Sequence, residues 1–251
     1  MDLGISGRRA AVAAASAGLG LAAARALAAE GVRVAICGRD PVRLDAAAQS
    51  LRADGAEVVA LEADMSDPVG ATSFVDRAAA ALGGIDILVA NAGGPPPGTF
   101  ATTTVEDYEA ALRLNLLSTV AMCRRAVPAM QAAGWGRVVA ITSVGARQPI
   151  GTLAASVTAR AGVTGFLKVL ATEVAADGVT VNSVQPGLHR TNRLSELHGG
   201  DLDELASGIP AGRLGDPDDF GAVVAFLCSE QAGYVTGTAL PVDGGVTRSL
   251  Y

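Results

Sequence analysis

Aromatic residues, cysteines and lysine are all scarce in this chain, and each scarcity narrows what it can be. Aromatic side chains make up 4% of the 251 residues, while half of all residues are hydrophobic. The core must therefore be built from alanine, valine, leucine and glycine, which suits small-residue helices packed closely on a parallel sheet. Cys37, Cys123 and Cys228 are odd in number, widely spaced and set in apolar surroundings. That pattern points to reduced core thiols in a cytoplasmic protein rather than a disulfide framework. A surplus of positive charge is missing too. The formal net charge of −6 argues against a nucleic-acid partner or an anionic membrane surface. Lys168 is the single lysine among 19 basic residues, a compositional bias with little functional content. No uninterrupted apolar run reaches the length of a membrane span.

One feature imitates a targeting signal. Arg8 and Arg9 precede the small-residue stretch AAVAAASAGLGLAAA, as a twin-arginine leader would. Gly18 and Gly20 interrupt that stretch, Arg25 and Glu30 follow at helical spacing, and a second β-type run begins at Val32. A strand, turn and helix account for every residue.

What is present is a regular alternation. Strands are expected at Arg9 to Ala14, Val32 to Cys37, Glu57 to Glu62, Ile85 to Ala90, Val138 to Thr142, Thr180 to Val184 and Ala239 to Val242. Between them fall helices at Gly18 to Glu30, Pro41 to Asp54, Asp67 to Leu82, Thr103 to Ala133 (bent near Pro128), Thr152 to Ala175 and Pro217 to Cys228. Strand and helix in alternation predict an α/β fold: a doubly wound, Rossmann-type parallel sheet of about seven strands with helices on both faces, in a single domain over residues 1–251. Leu194, Leu197, Leu202, Leu205 and Ile209 give short amphipathic helices in a lid at about 188–212.

The motifs lie at strand ends, where an open α/β sheet presents its site. The first turn, Ala13 to Gly20, reads AAASAGLG and opens a strand–helix unit, so backbone N–H groups can face a pyrophosphate. The second strand ends in Cys37-Gly38-Arg39-Asp40. Glycine stands where an acid would bind a ribose 2′-hydroxyl, and the guanidinium after it suits a 2′-phosphate. That favours NADP(H) over NAD(H). Asp40 also reads as a helix N-cap, with Pro41 at the first helical position. Ala63-Asp64-Met65 and Ala90-Asn91-Ala92-Gly93 close the third and fourth strands, and Thr142-Ser143 closes the fifth. Ser156 and Arg160 follow at i and i+4 on one helix face.

Taken together, these motifs resemble the short-chain dehydrogenase/reductase family, in a form similar to 3-oxoacyl reductases. The glycine turn is similar to that family's Thr-Gly-x-x-x-Gly-x-Gly with Ala13 and Ala14 at the Thr-Gly positions, a change that Ala14 accommodates if it needs no positive φ. Asn91-Ala92-Gly93 and the tail Tyr234-Val235-Thr236-Gly237 with Asp243-Gly244-Gly245 resemble further signatures, so the likeness spans nearly the whole chain. It implies cofactor contacts from Ser16, Gly18, Leu19, Gly20, Arg39, Asp64, Met65, Asn91, Gly93, Arg160, Pro186, Gly187 and Thr191. It implies catalytic roles at Asn115, Ser143 and the two helical positions, which hold Tyr and Lys in the family and Ser156 and Arg160 here. No Tyr-x-x-x-Lys exists at any other register: Leu112 and Thr238 follow Tyr108 and Tyr234, and Tyr251 is terminal.

The resemblance therefore implies an NADP(H)-dependent oxidoreductase acting on a carbonyl/alcohol pair with a non-standard proton donor and a small, apolar substrate. Alternatives are a non-redox enzyme (lyase, dehydratase or isomerase) and a catalytically silent cofactor-binding or scaffold protein. It also implies a homodimer or homotetramer, and no metal site is expected. His189, just after Pro186-Gly187, is a candidate replacement acid, although a structural hydrogen bond is the plainer role for a loop histidine. His198 is expected in a solvated loop.

Overall fold

Seven short strands rich in β-branched and small residues form one parallel sheet, ordered β3-β2-β1-β4-β5-β6-β7. The computed structural model describes residues 2–198 and 202–250. Strands are β1 (Arg9–Val12), β2 (Arg33–Gly38), β3 (Val58–Glu62), β4 (Ile87–Ala90), β5 (Gly136–Ile141), β6 (Val179–Pro186) and β7 (Ala239–Val242). The expected doubly wound architecture is what forms, with strand ends moved by one to a few residues. The order reverses direction between β1 and β4, and the crevice above their carboxyl ends is where such sheets bind ligands.

Successive strand residues point to opposite faces and so divide the core in two. On one face Val12, Val34, Ile36, Ile87, Val89 and Ile141 pack beneath α1 (Gly18–Ala29), α2 (Pro41–Ala53) and α9 (Pro217–Leu227). On the other, Ala11, Ala35, Leu88, Val138 and Ala140 meet α3 (Pro68–Leu82), α5 (Ser118–Ala133) and α6 (Ala154–Val174). Phe74 and Phe220, one per face, are fully buried, each contributing about 1.5–3 kcal/mol by removal from water. Small residues let helices approach. A Cβ on Gly221 of α9 would stand 2.4 Å from the Ala22 carbonyl oxygen of α1, so glycine is required where those helices cross. Cys37, Cys123 and Cys228 are free and buried in this packing, and burial raises each thiol to about 12. No helix among the described residues is long and apolar enough to cross a membrane.

The long helix expected over Thr103 to Ala133 departs from regularity at a different place. α4 (Val105–Ala111) passes through a π-helical segment (Leu112–Leu117) into α5, which continues through Pro128. The wider π turn places Asn115 on the buried side, next to the crevice. The lid carries α7 (Asn192–His198) and α8 (Leu202–Ser207), the short helices expected there. Leu194, Ile209 and Leu214 form its small apolar core, with Leu188 and Leu205 packed against it. His198 closes α7 rather than lying in a loop. The side chains of Leu197, His198 and Leu202 lie outside the described set.

Candidate active site

At the carboxyl end of β1 the chain turns sharply into α1. Ala14 takes φ +47°, a left-handed conformation that only glycine adopts without strain, so the condition attached to its alanine is not met. Two neighbours hold it there: its N–H donates to Cys37 Sγ at 3.3 Å, and Asn91 Nδ2 donates to its carbonyl at 3.2 Å. Gly20 is obligatory beside it, since a Cβ would sit 2.5 Å from the Ala14 oxygen and 2.7 Å from Asn91 Nδ2. Ala17, at the N-cap of α1, supplies no side-chain acceptor, so the first N–H groups of the helix face the crevice without a capping oxygen.

The crevice is a cleft of about 630 Å³. Gly18, Leu19, Gly20, Asn91, Gly93, Ser143, Ser156, Arg160, Pro186, Gly187 and Thr191 all line it, so most of the residues picked from the sequence converge. Four do not. Ser16 packs over Gly38, where a Cβ would come within 2.8 Å of it. Arg39 and Asp64 stand 3.9 Å apart on a separate surface depression with Glu62 and Arg77. Met65 is buried in the core. Asn115 is buried beneath the cleft floor: its Nδ2 donates to the Gly93 carbonyl at 3.0 Å, and its Oδ1 has no partner among the described residues.

The reactive groups stand on one wall. Ser143, after β5, accepts from the Gly145 N–H at 3.0 Å, which leaves its hydroxyl proton free to donate into the cleft. Arg160 binds the end of the same strand, donating through Nη1 to the carbonyls of Ile141 at 3.1 Å and Thr142 at 2.8 Å. Its Nε faces Ser156 Oγ at 3.4 Å. Burial first, and the charge of Arg193 second, push the Arg160 guanidinium down to about 10, so it remains cationic at neutral pH. The wall thus presents two hydroxyls and a fixed cation, a set that can bind and polarise a carbonyl oxygen.

His189 also lines the cleft, but its ring is engaged. It lies edge-on to Phe220 at 5.2 Å, its Nδ1 is 3.3 Å from the Gly187 carbonyl, and it leaves no room for a Cβ on Gly215. Residues that the motifs did not disclose are Arg43, Gln148, Arg193 and Thr247. Arg193 lies two positions beyond Thr191, inside the lid, where only its spacing from that threonine hinted at a role.

A family model described as enoyl-(acyl carrier protein) reductase matches residues 13–247. The chain belongs to the short-chain dehydrogenase/reductase family. Among its relatives in that family, the acetoacetyl-CoA reductase of Cupriavidus necator is 35% identical over 231 residues, covering 91% of this chain and 94% of the relative. The 3-oxoacyl-(acyl-carrier-protein) reductase of Escherichia coli is 34% identical over 244 residues, covering 97% and 99%. The fold is shared with the L-sorbose reductase of Gluconobacter frateurii, solved with NADPH and L-sorbose, at a TM-score of 0.92 and 35% identity over the full length of both chains. A short-chain oxidoreductase of Pseudomonas aeruginosa described as containing an atypical catalytic center, solved with NADPH, gives 0.89 and 33% identity, covering 96% and 97%.

Proposed function

We propose that this short-chain dehydrogenase/reductase is an NADP(H)-dependent oxidoreductase that interconverts a carbonyl and an alcohol without a tyrosine proton donor. The observation that carries the reading is the convergence of Ser143, Ser156 and Arg160 on one wall of a cleft that begins at the glycine turn. The residues present fit a dinucleotide. Gly18 and Gly20 keep the turn open, the uncapped start of α1 offers N–H groups to a pyrophosphate, and the Asn115 Oδ1 lacks a partner that a bound water would satisfy. Gly38 in place of an acid, with the largely exposed Arg39 guanidinium beside it, favours the 2′-phosphate form. Arg43 on the cleft wall adds a second cation on that side.

Bound reduced nicotinamide supplies the hydride. The chain's own residues do the rest. Ser143 donates to the carbonyl oxygen and holds it against the wall. Arg160 draws electron density from Ser156 Oγ, so the Ser156 proton is the one aimed at the substrate, directly or through a water held by Asn115. Serine is a far weaker acid than tyrosine, so turnover is slower than a tyrosine donor would allow. We further propose that the chain pairs with copies of itself through α5 and α6, on which Val169 is exposed.

The test is titration with NADPH and NADH by fluorescence quenching, on wild type and Arg39→Ala. NADPH binding that weakens by about tenfold in the variant, near 1.4 kcal/mol, is the expected result. Failure of wild type to bind either nucleotide would overturn the reading and turn attention to non-redox chemistry in the same cleft.

A further inference from the structure

A guanidinium withdrawn from water without a carboxylate is costly unless something else completes its environment. Arg160, half-buried on the cleft wall, is partly in that position. Its Nη1 is held by two carbonyls and its Nε faces a serine, but among the described residues it has no carboxylate partner. Arg193, from the first turn of α7, reaches across the cleft mouth and donates through Nη2 to the Pro95 carbonyl at 3.1 Å. Its carboxylate contact among the described residues, Glu196, stands 4.0 Å from Nη1 and is largely exposed, a contact too loose to neutralise it. Both guanidinium groups line the same cleft.

Little acidic offsets this pair among the described residues that line the cleft. Glu196 is the sole carboxylate among the described residues lining it, and the remaining polar lining near Ser143 and Ser156 is neutral, from Gln148 and Thr247. Two cations lining the same cleft as the reactive hydroxyls make an anion subsite.

We propose that the substrate carries a carboxylate, seated between Arg160 and Arg193, while its carbonyl faces Ser143 and Ser156. The inference rests on the oxidoreductase reading above and narrows the substrate to an oxo acid and the corresponding hydroxy acid. Arg193 is the lid's contribution to specificity.

The experiment uses the protein saturated with NADP+, in which an oxo acid binds without turnover. 2-Oxobutyrate and 4-oxopentanoate, each beside its methyl ester, are titrated by calorimetry into wild type, Arg193→Gln and Arg193→Lys. At least one acid should bind about tenfold more tightly than its ester. That preference should shrink to about twofold in Arg193→Gln and partly return in Arg193→Lys. Equal binding of acid and ester at both lengths, or a preference that survives Arg193→Gln, overturns the proposal. A third result also overturns it: Arg193→Gln weakening nucleotide affinity with no acid preference in wild type, which would make a cofactor phosphate the anion that Arg193 serves. If wild type binds no nucleotide, the oxidoreductase reading fails by itself. The same titrations on nucleotide-free protein then decide the anion subsite separately.

Discussion

Arg160 and Ser156 are joined one helical turn apart, Nε to Oγ at 3.4 Å, while Nη1 anchors the same guanidinium to the end of β5. The contact is long, so it biases the hydroxyl more than it binds it. A cation that cannot swing away keeps Ser156 polarised toward the cleft and occupies the position from which a lysine would work. The consequence is that the two residues act as a unit. Ser156→Ala should lower kcat by about tenfold with NADPH affinity nearly unchanged, because the interaction lost belongs to the reaction and not to binding. The double change Ser156→Tyr with Arg160→Lys should raise kcat by about 10²-fold, toward the usual contribution of a general acid. Steady-state NADPH consumption measures both. A Ser156→Ala enzyme with unchanged kcat would remove the hydroxyl from the mechanism.

Ala14 makes the glycine turn a strained element. Its φ of +47° is imposed by Asn91 and Cys37 and opposed by its own methyl group. Relieving that opposition should stabilise the folded state by about 1 kcal/mol, reduced somewhat by the greater freedom glycine has when unfolded. Ala14→Gly should therefore raise Tm by a few degrees in a scanning calorimeter, roughly 2–4 °C for a chain of this size. A lower Tm would mean that the methyl group packs better than its backbone angle suggests.

Much of this was legible in the sequence, for identifiable reasons. The sheet was readable because each strand is a short β-branched run that stops at a turn signal, as with Gly38 after Val34 to Cys37. The cleft was readable where a motif residue sits at a strand end: Ser143, Asn91 and Gly187 all arrive where expected. Arg193 was not, because it comes from a lid whose packing against Pro95 no local pattern specifies. The irregular turn at Asn115 was hidden for another reason. A π-helical insertion leaves the apolar period almost unchanged, while Pro128 offers a more visible breaker that the helix absorbs. Arg39 follows the second strand as expected, while the orientation of its side chain, toward Asp64, depends on a neighbouring strand.

Arg9 and Asp86 tie the start of β1 to the approach of β4. Asp86 Oδ2 accepts from Arg9 Nε at 2.8 Å and from the Arg9 N–H at 2.9 Å, and Oδ1 accepts from Nη2 at 2.6 Å. Burial alone would raise the Asp86 carboxyl, but the hydrogen bonds and charge of Arg9 outweigh it and hold the group below its usual 3.8. A depressed carboxyl contributes stability above its unfolded value, and that contribution is lost as pH falls through the folded value. The loss therefore belongs below 3.8. Asp86→Asn, which leaves Arg9 without its counter-charge, should cost about 2–4 kcal/mol at neutral pH and flatten the acid limb of the stability curve. Urea unfolding at a series of pH values measures both, and an unchanged acid limb would assign the acid sensitivity to other carboxylates.

The packing of His189 favours a structural role at the base of the lid over proton transfer. The ring is buried against Phe220, makes a hydrogen bond to the Gly187 carbonyl and fills the space over Gly215. The backbone on either side clasps the same segment: Gly215 N–H donates to the Leu188 carbonyl and Arg190 N–H to that of Gly215, both at 2.9 Å. Burial drives the imidazole below its usual 6.5, outweighing the Gly187 carbonyl and the attraction of Asp216, Asp219 and Asp243. The folded protein thus favours neutral His189. Its stabilising contribution is complete above 6.5 and is lost as pH falls through the depressed folded value, a window above that of ordinary carboxylates. His189→Gln should then cost about 1–3 kcal/mol near pH 7.5 from lost ring packing and should remove the decline that sets in as pH falls below 6.5. The folded variant should keep kcat within about threefold of wild type, the small change expected when no transition-state contact is removed. A hundredfold fall in kcat with stability intact would instead make His189 the missing proton donor.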